Sequence, residues 1–219
     1  KPAYVPIRKP INPDGTSPKL SPGLASKAHT ALGMLGWITT NRPDVAFAYS
    51  RIGQHQANLT EDVMDALYYA FRYLSAHRRY CLSGPLHSPD QDITSSVISS
   101  NSLDDQYGWE FYVDTDFAGN SEIQNKRRSQ IGILALLNTV PIYWKSSVST
   151  RCFATEEIGV AHPDSSSGAS ETIGAGNATQ DFLHLSYIAA EQNIPFPKPF
   201  RLQMDNDAAR VFADDTCFK

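Results

Sequence analysis

The sequence is poor in cysteine, has no long apolar run and carries no excess of positive charge. Its three cysteines, Cys81, Cys152 and Cys217, lie far apart and form no Cys-x-x-Cys pair. This spacing argues against a zinc ribbon or a disulfide framework and predicts buried free thiols. No apolar segment reaches the roughly 20 residues needed to span a bilayer, and the first residues lack the apolar core of a signal peptide. We therefore expect a protein with no membrane partner.

Charge and composition are those of an ordinary globular protein. The formal net charge of −4 does not give the chain the overall basic character of a typical nucleic-acid-binding domain. Basic residues cluster locally at Arg78-Arg79 and at Lys126-Arg127-Arg128, and Lys145 stands in an aromatic segment. With 41% hydrophobic residues, the 219-residue chain can bury a sizeable core. Because it begins with lysine rather than methionine, we expect it to be a piece of a longer chain.

The first part of the chain predicts a small helical subdomain behind an extended arm. Residues 1–23 are rich in proline and show no apolar periodicity, which is typical of an arm or linker. Apolar residues then recur at helical spacing over 24–40, over 43–57 and after Thr60, a candidate amino-terminal cap. A short strand is expected at Tyr80-Cys81-Leu82.

A segment rich in serine, aspartate, asparagine, proline and glycine, residues 84–107, predicts a domain boundary. The predicted divisions are an arm (1–23), a helical subdomain (24–86), a linker (87–107) and a second domain (108–219).

The second domain predicts a mixed sheet. Residues 109–114 are aromatic and β-branched, as in a core strand, and 131–137 and 141–145 form a hairpin pattern around a short turn. A long helix is expected over 168–191, a strand over 200–204 and a last helix opened by Asp205-Asn206-Asp207. The fold class is thus α+β or α/β, with an antiparallel three-strand meander followed by α/β crossovers. Trp144 is expected in its core.

Acidic residues stand at three topologically related places. Asp114 ends the first predicted strand, Glu171 lies in the first turn of the long helix and Asp205 ends the fourth strand. Side chains at such places can converge at one end of a sheet, and several carboxylate oxygens are what a pair of divalent cations requires. Asp116 would share the face of Asp114 if the strand continued, but Asp-x-Asp before Gly119 is also a turn signal. We expect Asp116 in the turn.

Several segments resemble the ribonuclease H region of copia-type retrotransposon polyproteins. Residues 112–119, Tyr-Val-Asp-Thr-Asp-Phe-Ala-Gly, are similar to the family's Tyr-Ser-Asp-Ala-Asp-Trp-Ala-Gly, and residues 141–146 match its Pro-Ile-Ser-Trp-Lys-Ser almost residue for residue. Residues 127–132 and 202–209 resemble its Arg-Lys-Ser-Thr-Ser-Gly and Leu-Tyr-Cys-Asp-Asn-Gln-Ser-Ala boxes. Upstream, residues 35–48 and 70–74 resemble the connection segment that joins the reverse transcriptase to the ribonuclease H.

The resemblance implies a ribonuclease H-like fold that hydrolyses the RNA strand of RNA/DNA hybrids during reverse transcription, with two Mg²⁺ ions as cofactors and Mn²⁺ as a substitute. It implies that Asp114, Glu171 and Asp205 are the catalytic and metal-binding carboxylates. Implied partners are the hybrid and the reverse transcriptase portion of the same polyprotein. The expected location is a cytoplasmic virus-like particle, with the nucleus as the alternative. Five residues are candidates for nucleic-acid contacts, with a solvated surface as the alternative: Lys126, Arg127, Arg128, Lys145 and Ser167.

The middle carboxylate has a rival in the sequence. The family's Ser-Ser-Thr-Glu-Ala-Glu-Tyr aligns with residues 166–172, where its first glutamate is absent and its second corresponds to Glu171. Thr155-Glu156-Glu157 resembles the same box, but Pro163 would stop a helix that began at Glu157. Glu171 is therefore preferred.

The family also carries a fourth carboxylate on a later helix. The chain ends at Lys219 before that helix, so we expect a fold that is truncated at its carboxyl end. The alternative function is a non-catalytic connection or interaction module derived from a ribonuclease H. A transposase or integrase core is disfavoured because its carboxylates follow the order Asp, Asp, Glu along the chain, whereas the order in this sequence is Asp, Glu, Asp.

Overall fold

The computed structural model describes residues 3–8, 10–12, 14–83, 108–116, 129–149 and 167–205. The chain divides into two compact units. The first comprises Lys1–Cys81, Asp116–Gln130 and Lys145–Arg151, and the second comprises Leu82–Thr115, Ile131–Trp144 and Cys152–Lys219. The predicted linker at 87–107 lies outside the described residues. Among the helices that the structure describes, none has the length and apolar character needed to cross a membrane.

Three α-helices carry the core of the first unit: α1 (Pro22–Ile38), α2 (Ala46–Gly53) and α3 (Glu61–Ala76). Proline suits the first turn of α1 because it has no backbone N–H to leave unpaired. Acidic residues in the first turn of α3 interact favourably with the helix dipole. The second helix is shorter than predicted, since Pro43–Val45 forms a 3-10 turn and α2 ends at Gly53. Buried apolar residues recur every three or four positions: Ala28, Leu32, Leu35, Val63, Leu67 and Ala70.

The predicted arm packs on this helical core. Ala3 and Ile11 are buried members of the core cluster. Nε2 of His77 lies 3.0 Å from the carbonyl oxygen of Ala3, and the amide of Leu20 donates to the carbonyl of Leu59 at 3.0 Å. The arm is therefore part of the first unit rather than a free linker.

The predicted cap of α3 is confirmed, whereas two other local predictions are wrong. Thr60 occupies the amino-terminal cap position of α3, although its hydroxyl makes no cap hydrogen bond, and its main chain pairs with Lys19 in an isolated bridge. No strand forms at residues 80–82. Cys81 is exposed rather than buried, whereas Cys152 and Cys217 lie outside the part of the chain that the structure describes.

The second unit contains most of a mixed, four-stranded sheet with the order β3-β2-β1-β4. Its strands are β1 (Trp109–Asp116), β2 (Gln130–Leu137), β3 (Val140–Val148) and β4 (Leu202–Gln203). The predicted hairpin is confirmed: β2 and β3 are joined by Asn138 and Thr139, whose φ angles of 50° and 68° are those of a tight hairpin turn. The amide of Asn138, which follows β2, donates to the carbonyl of Gly108, which precedes β1, at 2.9 Å. The end of β2 thus lies beside the start of β1, so the two strands are antiparallel.

The fourth strand runs parallel to the first. Phe111 pairs with Leu202 and Tyr112 with Gln203. The predicted long helix is present as α4 (Ser167–Glu191), and it supplies the crossover that a parallel neighbour requires. The predicted last helix lies among residues that the structure does not describe.

An aromatic core joins α4 to the sheet. Phe111 and Val113 are buried on one face of β1, where they meet Ala178 and Phe182 of α4. The ring centroids of Phe111 and Phe182 are 4.7 Å apart. The predicted placement of Trp144 is wrong, because it is only half-buried and is not a member of this core.

Strand β1 also continues past the predicted end. Asp114 lies inside the strand and Asp116 is its last residue, so the expectation that Asp116 belongs to a turn is wrong. The sheet continues here because backbone pairing outweighs the local turn signal of Asp-x-Asp.

Candidate metal centre

Three carboxylates from three elements of the second unit converge. One oxygen each of Asp114, Glu171 and Asp205 can be chosen so that all three atoms lie within 4.8 Å of one another. Asp114 and Asp205 are exposed and Glu171 is buried. The structure thus brings together the three acidic residues that were predicted from the sequence.

The register of β1 and β4 explains why the two aspartates are neighbours. Successive parallel pairs are Phe111 with Leu202 and Tyr112 with Gln203, so two residues further on Asp114 stands level with Asp205. Residues that stand level on neighbouring parallel strands lie side by side at the same edge of the sheet. Their proximity is set by main-chain pairing.

Glu171 reaches the group from the first turn of α4. Its side chain is only 4% exposed, and its Oε2 is buried without a hydrogen-bond partner. Burial, followed by the negative charges of Asp205 and Asp114, raises the pKa of the Glu171 carboxyl above its ordinary value, and Thr115 offsets the rise only in part. The residues around an ionised carboxylate in this position compensate its charge only in part.

This donor set fits a divalent cation. Hard cations such as Mg²⁺ and Mn²⁺ prefer carboxylate oxygens, and three carboxylates offer both ligands and compensating charge. The unpartnered Oε2 of Glu171 is an acceptor that a cation would satisfy. The cluster could therefore hold a metal ion.

A close approach between β1 and α4 lies beside this group. The Thr115 side chain is on the core face of β1 and is 7% exposed, and its hydroxyl oxygen has no hydrogen-bond partner. A Cβ atom built on Gly174 would lie 2.5 Å from that oxygen. The hydroxyl of Ser170, on the preceding turn of α4, is also buried and unpartnered.

Comparison with known proteins identifies a relative encoded by a retrotransposon. The chain is similar to a retrotransposon polyprotein. It is 25% identical over 217 residues to the retrovirus-related Pol polyprotein from transposon RE2 of Arabidopsis thaliana. The match covers 96% of this chain and 13% of that polyprotein. No protein-family model matches the chain, and no solved structure does.

This similarity supports the interpretation of the chain as a region of a retrotransposon polyprotein. The three carboxylates form its candidate site. Among the predicted nucleic-acid contacts, Lys145 is exposed on β3, and Ser167 begins α4 with a side chain that the structure does not describe. Lys126, Arg127 and Arg128 lie outside the described residues. So does the rival glutamate Glu157, so the preference for Glu171 stays a prediction.

Sequence reasoning missed Thr115. Glycine inside a helix was the available signal, since Gly174 and Gly176 weaken α4 by up to about 1 kcal/mol each relative to alanine. Only Gly174 has a close neighbour, because a Cβ atom on Gly176 would meet nothing within 4 Å.

Proposed function

We propose that this chain is the ribonuclease H region of a retroelement polyprotein, which hydrolyses the RNA strand of RNA/DNA hybrids. The observation that carries the proposal is the group formed by Asp114, Glu171 and Asp205, with carboxylate oxygens within 4.8 Å. The similarity to a Pol polyprotein supports it, since reverse transcription produces such hybrids. A mixed sheet with β4 parallel to β1 is compatible with a ribonuclease H-like fold.

In this proposal the three carboxylates bind two Mg²⁺ ions, and Mn²⁺ can replace them. Ions held by these residues would activate water for attack on a phosphodiester and would stabilise the leaving oxygen. The register of β1 and β4 brings Asp114 level with Asp205, and one carboxylate oxygen of each lies within 4.8 Å of the other and of one from Glu171. Glu171 adds an oxygen from a buried position with little freedom to rotate.

The substrate would be recognised by shape. A hybrid has an A-like groove that displays 2′-hydroxyl groups, and proteins distinguish it by these features rather than by sequence. Lys145 is the described basic residue among the predicted contacts, and its exposed position on β3 allows a phosphate contact. We propose the reverse transcriptase portion of the same polyprotein as the protein partner, in a cytoplasmic virus-like particle or in the nucleus.

The test is cleavage of a hybrid that carries a label on its RNA strand. We expect the chain to cut the RNA strand with Mg²⁺ or Mn²⁺, and we expect Asp114→Asn, Glu171→Gln and Asp205→Asn each to reduce the rate by orders of magnitude. Asp116→Asn is the matched control, because Asp116 is an exposed carboxylate of the same strand outside the group.

Two results would overturn the proposal. One is cleavage by Asp114→Asn at the rate of the unmodified chain, which would assign the activity to a contaminant or another site. The other is hybrid binding without cleavage at any concentration of Mg²⁺ or Mn²⁺, which would support the non-catalytic connection module instead.

A further inference from the structure

Two buried polar atoms without partners lie beside the candidate metal centre. One is the hydroxyl oxygen of Thr115 and the other is Oε2 of Glu171. A hydroxyl can donate a hydrogen bond, and an ionised carboxylate can only accept one. An unpaired buried polar group is destabilising. A buried donor and a buried acceptor that lie close together are therefore expected to form a hydrogen bond with one another.

The two side chains are held near one another by the packing of α4 on β1. Glu171 and Gly174 are three residues apart, and therefore on the same face of the helix, and Gly174 faces the Thr115 hydroxyl at a distance that excludes a side chain. The main-chain amide of Thr115 and, less strongly, its hydroxyl lower the pKa of the Glu171 carboxyl, which is the direction expected of hydrogen-bond donors.

We propose that Thr115 is a positioning residue, whose hydroxyl donates to the Glu171 carboxylate and fixes its orientation toward Asp114 and Asp205, in a space that Gly174 leaves open. This inference rests on the metal centre of the proposed function. It goes beyond the sequence resemblance, because the family box carries alanine at the place of Thr115. Thr115 touches neither metal nor substrate in this arrangement and acts through Glu171.

The experiment measures Mn²⁺ binding by calorimetry and thermal unfolding in the presence of a chelator. Thr115→Val keeps the shape of the side chain and removes the hydroxyl, and Thr115→Ala removes it without adding bulk. We expect both to weaken Mn²⁺ binding by about tenfold or more, the usual effect of losing a group that orients a metal ligand. Thr115→Ser keeps the hydroxyl and should bind Mn²⁺ like the unmodified chain.

Thermal unfolding separates positioning from structure. If the Thr115 hydroxyl donates to Glu171, Thr115→Val leaves a buried carboxylate oxygen unpaired and should lower the unfolding temperature, whereas Thr115→Ser keeps the donor and loses only a buried methyl group. A merely structural role would make Mn²⁺ affinity follow stability in all three variants. Positioning predicts that Mn²⁺ affinity follows the hydroxyl, so that Thr115→Ser keeps the affinity even where it loses stability.

Each result decides a different point. If the unmodified chain binds no Mn²⁺, the metal centre of the proposed function fails and the inference falls with it. If the unmodified chain and Thr115→Val bind Mn²⁺ equally, only the inference is overturned. It is also overturned if Thr115→Ser loses as much affinity for Mn²⁺ as Thr115→Val, or if affinity falls in step with stability in all three variants.

Discussion

The hydroxyl of Thr115 occupies the space that a side chain on Gly174 would need, with 2.5 Å between its oxygen and the ideal Cβ position. With a side chain at position 174, a contact this short would force the Thr115 side chain or one of the two elements to move. Gly174 is thus the residue that lets α4 lie close to β1 beside the candidate metal centre.

Gly174→Ala should lower the free energy of unfolding, although alanine favours a helix by about 1 kcal/mol over glycine. Gly176→Ala is the matched control on the same helix, and it should raise that free energy by up to about 1 kcal/mol, because its Cβ would meet open space. Urea unfolding measures both.

A second substitution tests the cause. Thr115→Ala removes the obstructing hydroxyl, so the double variant Thr115→Ala/Gly174→Ala should recover most of the lost stability, and the interaction energy of the cycle should be clearly favourable. The remaining neighbours of the new Cβ, methyl groups of Val113 at 3.4 Å and of Ile131 at 3.7 Å, are ordinary contacts. Equal stabilisation by Gly174→Ala and Gly176→Ala would refute the steric explanation.

The buried Glu171 should make the fold less stable as the pH rises. Its pKa is raised above the ordinary value of 4.5 by burial and by Asp205 and Asp114, so in this range the folded chain binds more protons than the unfolded one. The contribution of Glu171 to the free energy of unfolding is therefore at its maximum below about pH 4.5. It declines as the pH rises through the higher pKa of the folded state.

Glu171→Gln should remove this dependence. We expect the variant to be more stable than the unmodified chain at neutral pH, with a difference that vanishes in acid, because glutamine carries no charge to bury. Thermal unfolding between pH 4 and 8 in the presence of a chelator measures the difference. A constant difference across that range would contradict the prediction.

In the first unit, Asp44 links a 3-10 turn to α3. It accepts hydrogen bonds from the Arg42 guanidinium at 2.6 and 2.8 Å and from the Tyr73 hydroxyl at 2.9 Å. Burial raises the pKa of Asp44, but Arg42 and Tyr73 outweigh it and the net direction is downward from 3.8. Burial and the bond to Asp44 raise the pKa of Tyr73 to about 12.

Tyr73→Phe should lower the free energy of unfolding by about 1.5–3 kcal/mol, the usual value for a hydrogen bond to a charged group. A lowered carboxyl pKa stabilises the fold above the ordinary value and loses that effect as the pH falls through the folded value, so the loss should shrink below about pH 3.8. Tyr68→Phe, on an exposed tyrosine of the same helix, should change little. Equal effects of the two variants would contradict this account.

The hairpin turn carries a β-branched residue in an unfavourable conformation. Thr139 has a φ of 68°, where a residue with a Cβ atom is disfavoured by roughly 1–2 kcal/mol. Thr139→Gly creates the Asn-Gly pair preferred in such turns and should raise the free energy of unfolding by up to about 1 kcal/mol, since the flexibility of glycine offsets part of the gain. Thr139→Ala, which keeps the Cβ atom, should give no such gain in urea unfolding.

Periodicity in the sequence predicted the long helices, the hairpin and the fourth strand, because each is defined by apolar spacing or turn residues that act locally. It failed at the end of β1, where sheet pairing carries the strand through Asp116 in spite of a turn signal. It predicted the arm but not the surface that the arm packs on, since Ala3 and Ile11 are single buried residues that create no pattern.

The candidate site shows the same division. That Asp114, Glu171 and Asp205 can meet follows from their places in the order of elements, and the structure brings them together; their catalytic role stays a prediction. The burial of Glu171 and the fit of Thr115 to Gly174 depend on the distance between α4 and β1. No local pattern in the sequence encodes that distance.

The parallel register of β1 and β4 has a consequence for how this chain tolerates mutation. Main-chain pairing of Phe111 with Leu202 fixes the level of Asp205 beside Asp114, so apolar exchanges at these paired positions can change stability while leaving the spacing of the carboxylates intact. One inserted residue between Gln203 and Asp205 would turn the carboxylate to the opposite face of the sheet. The site is therefore robust to substitution in its supporting strands and fragile to any change in their length.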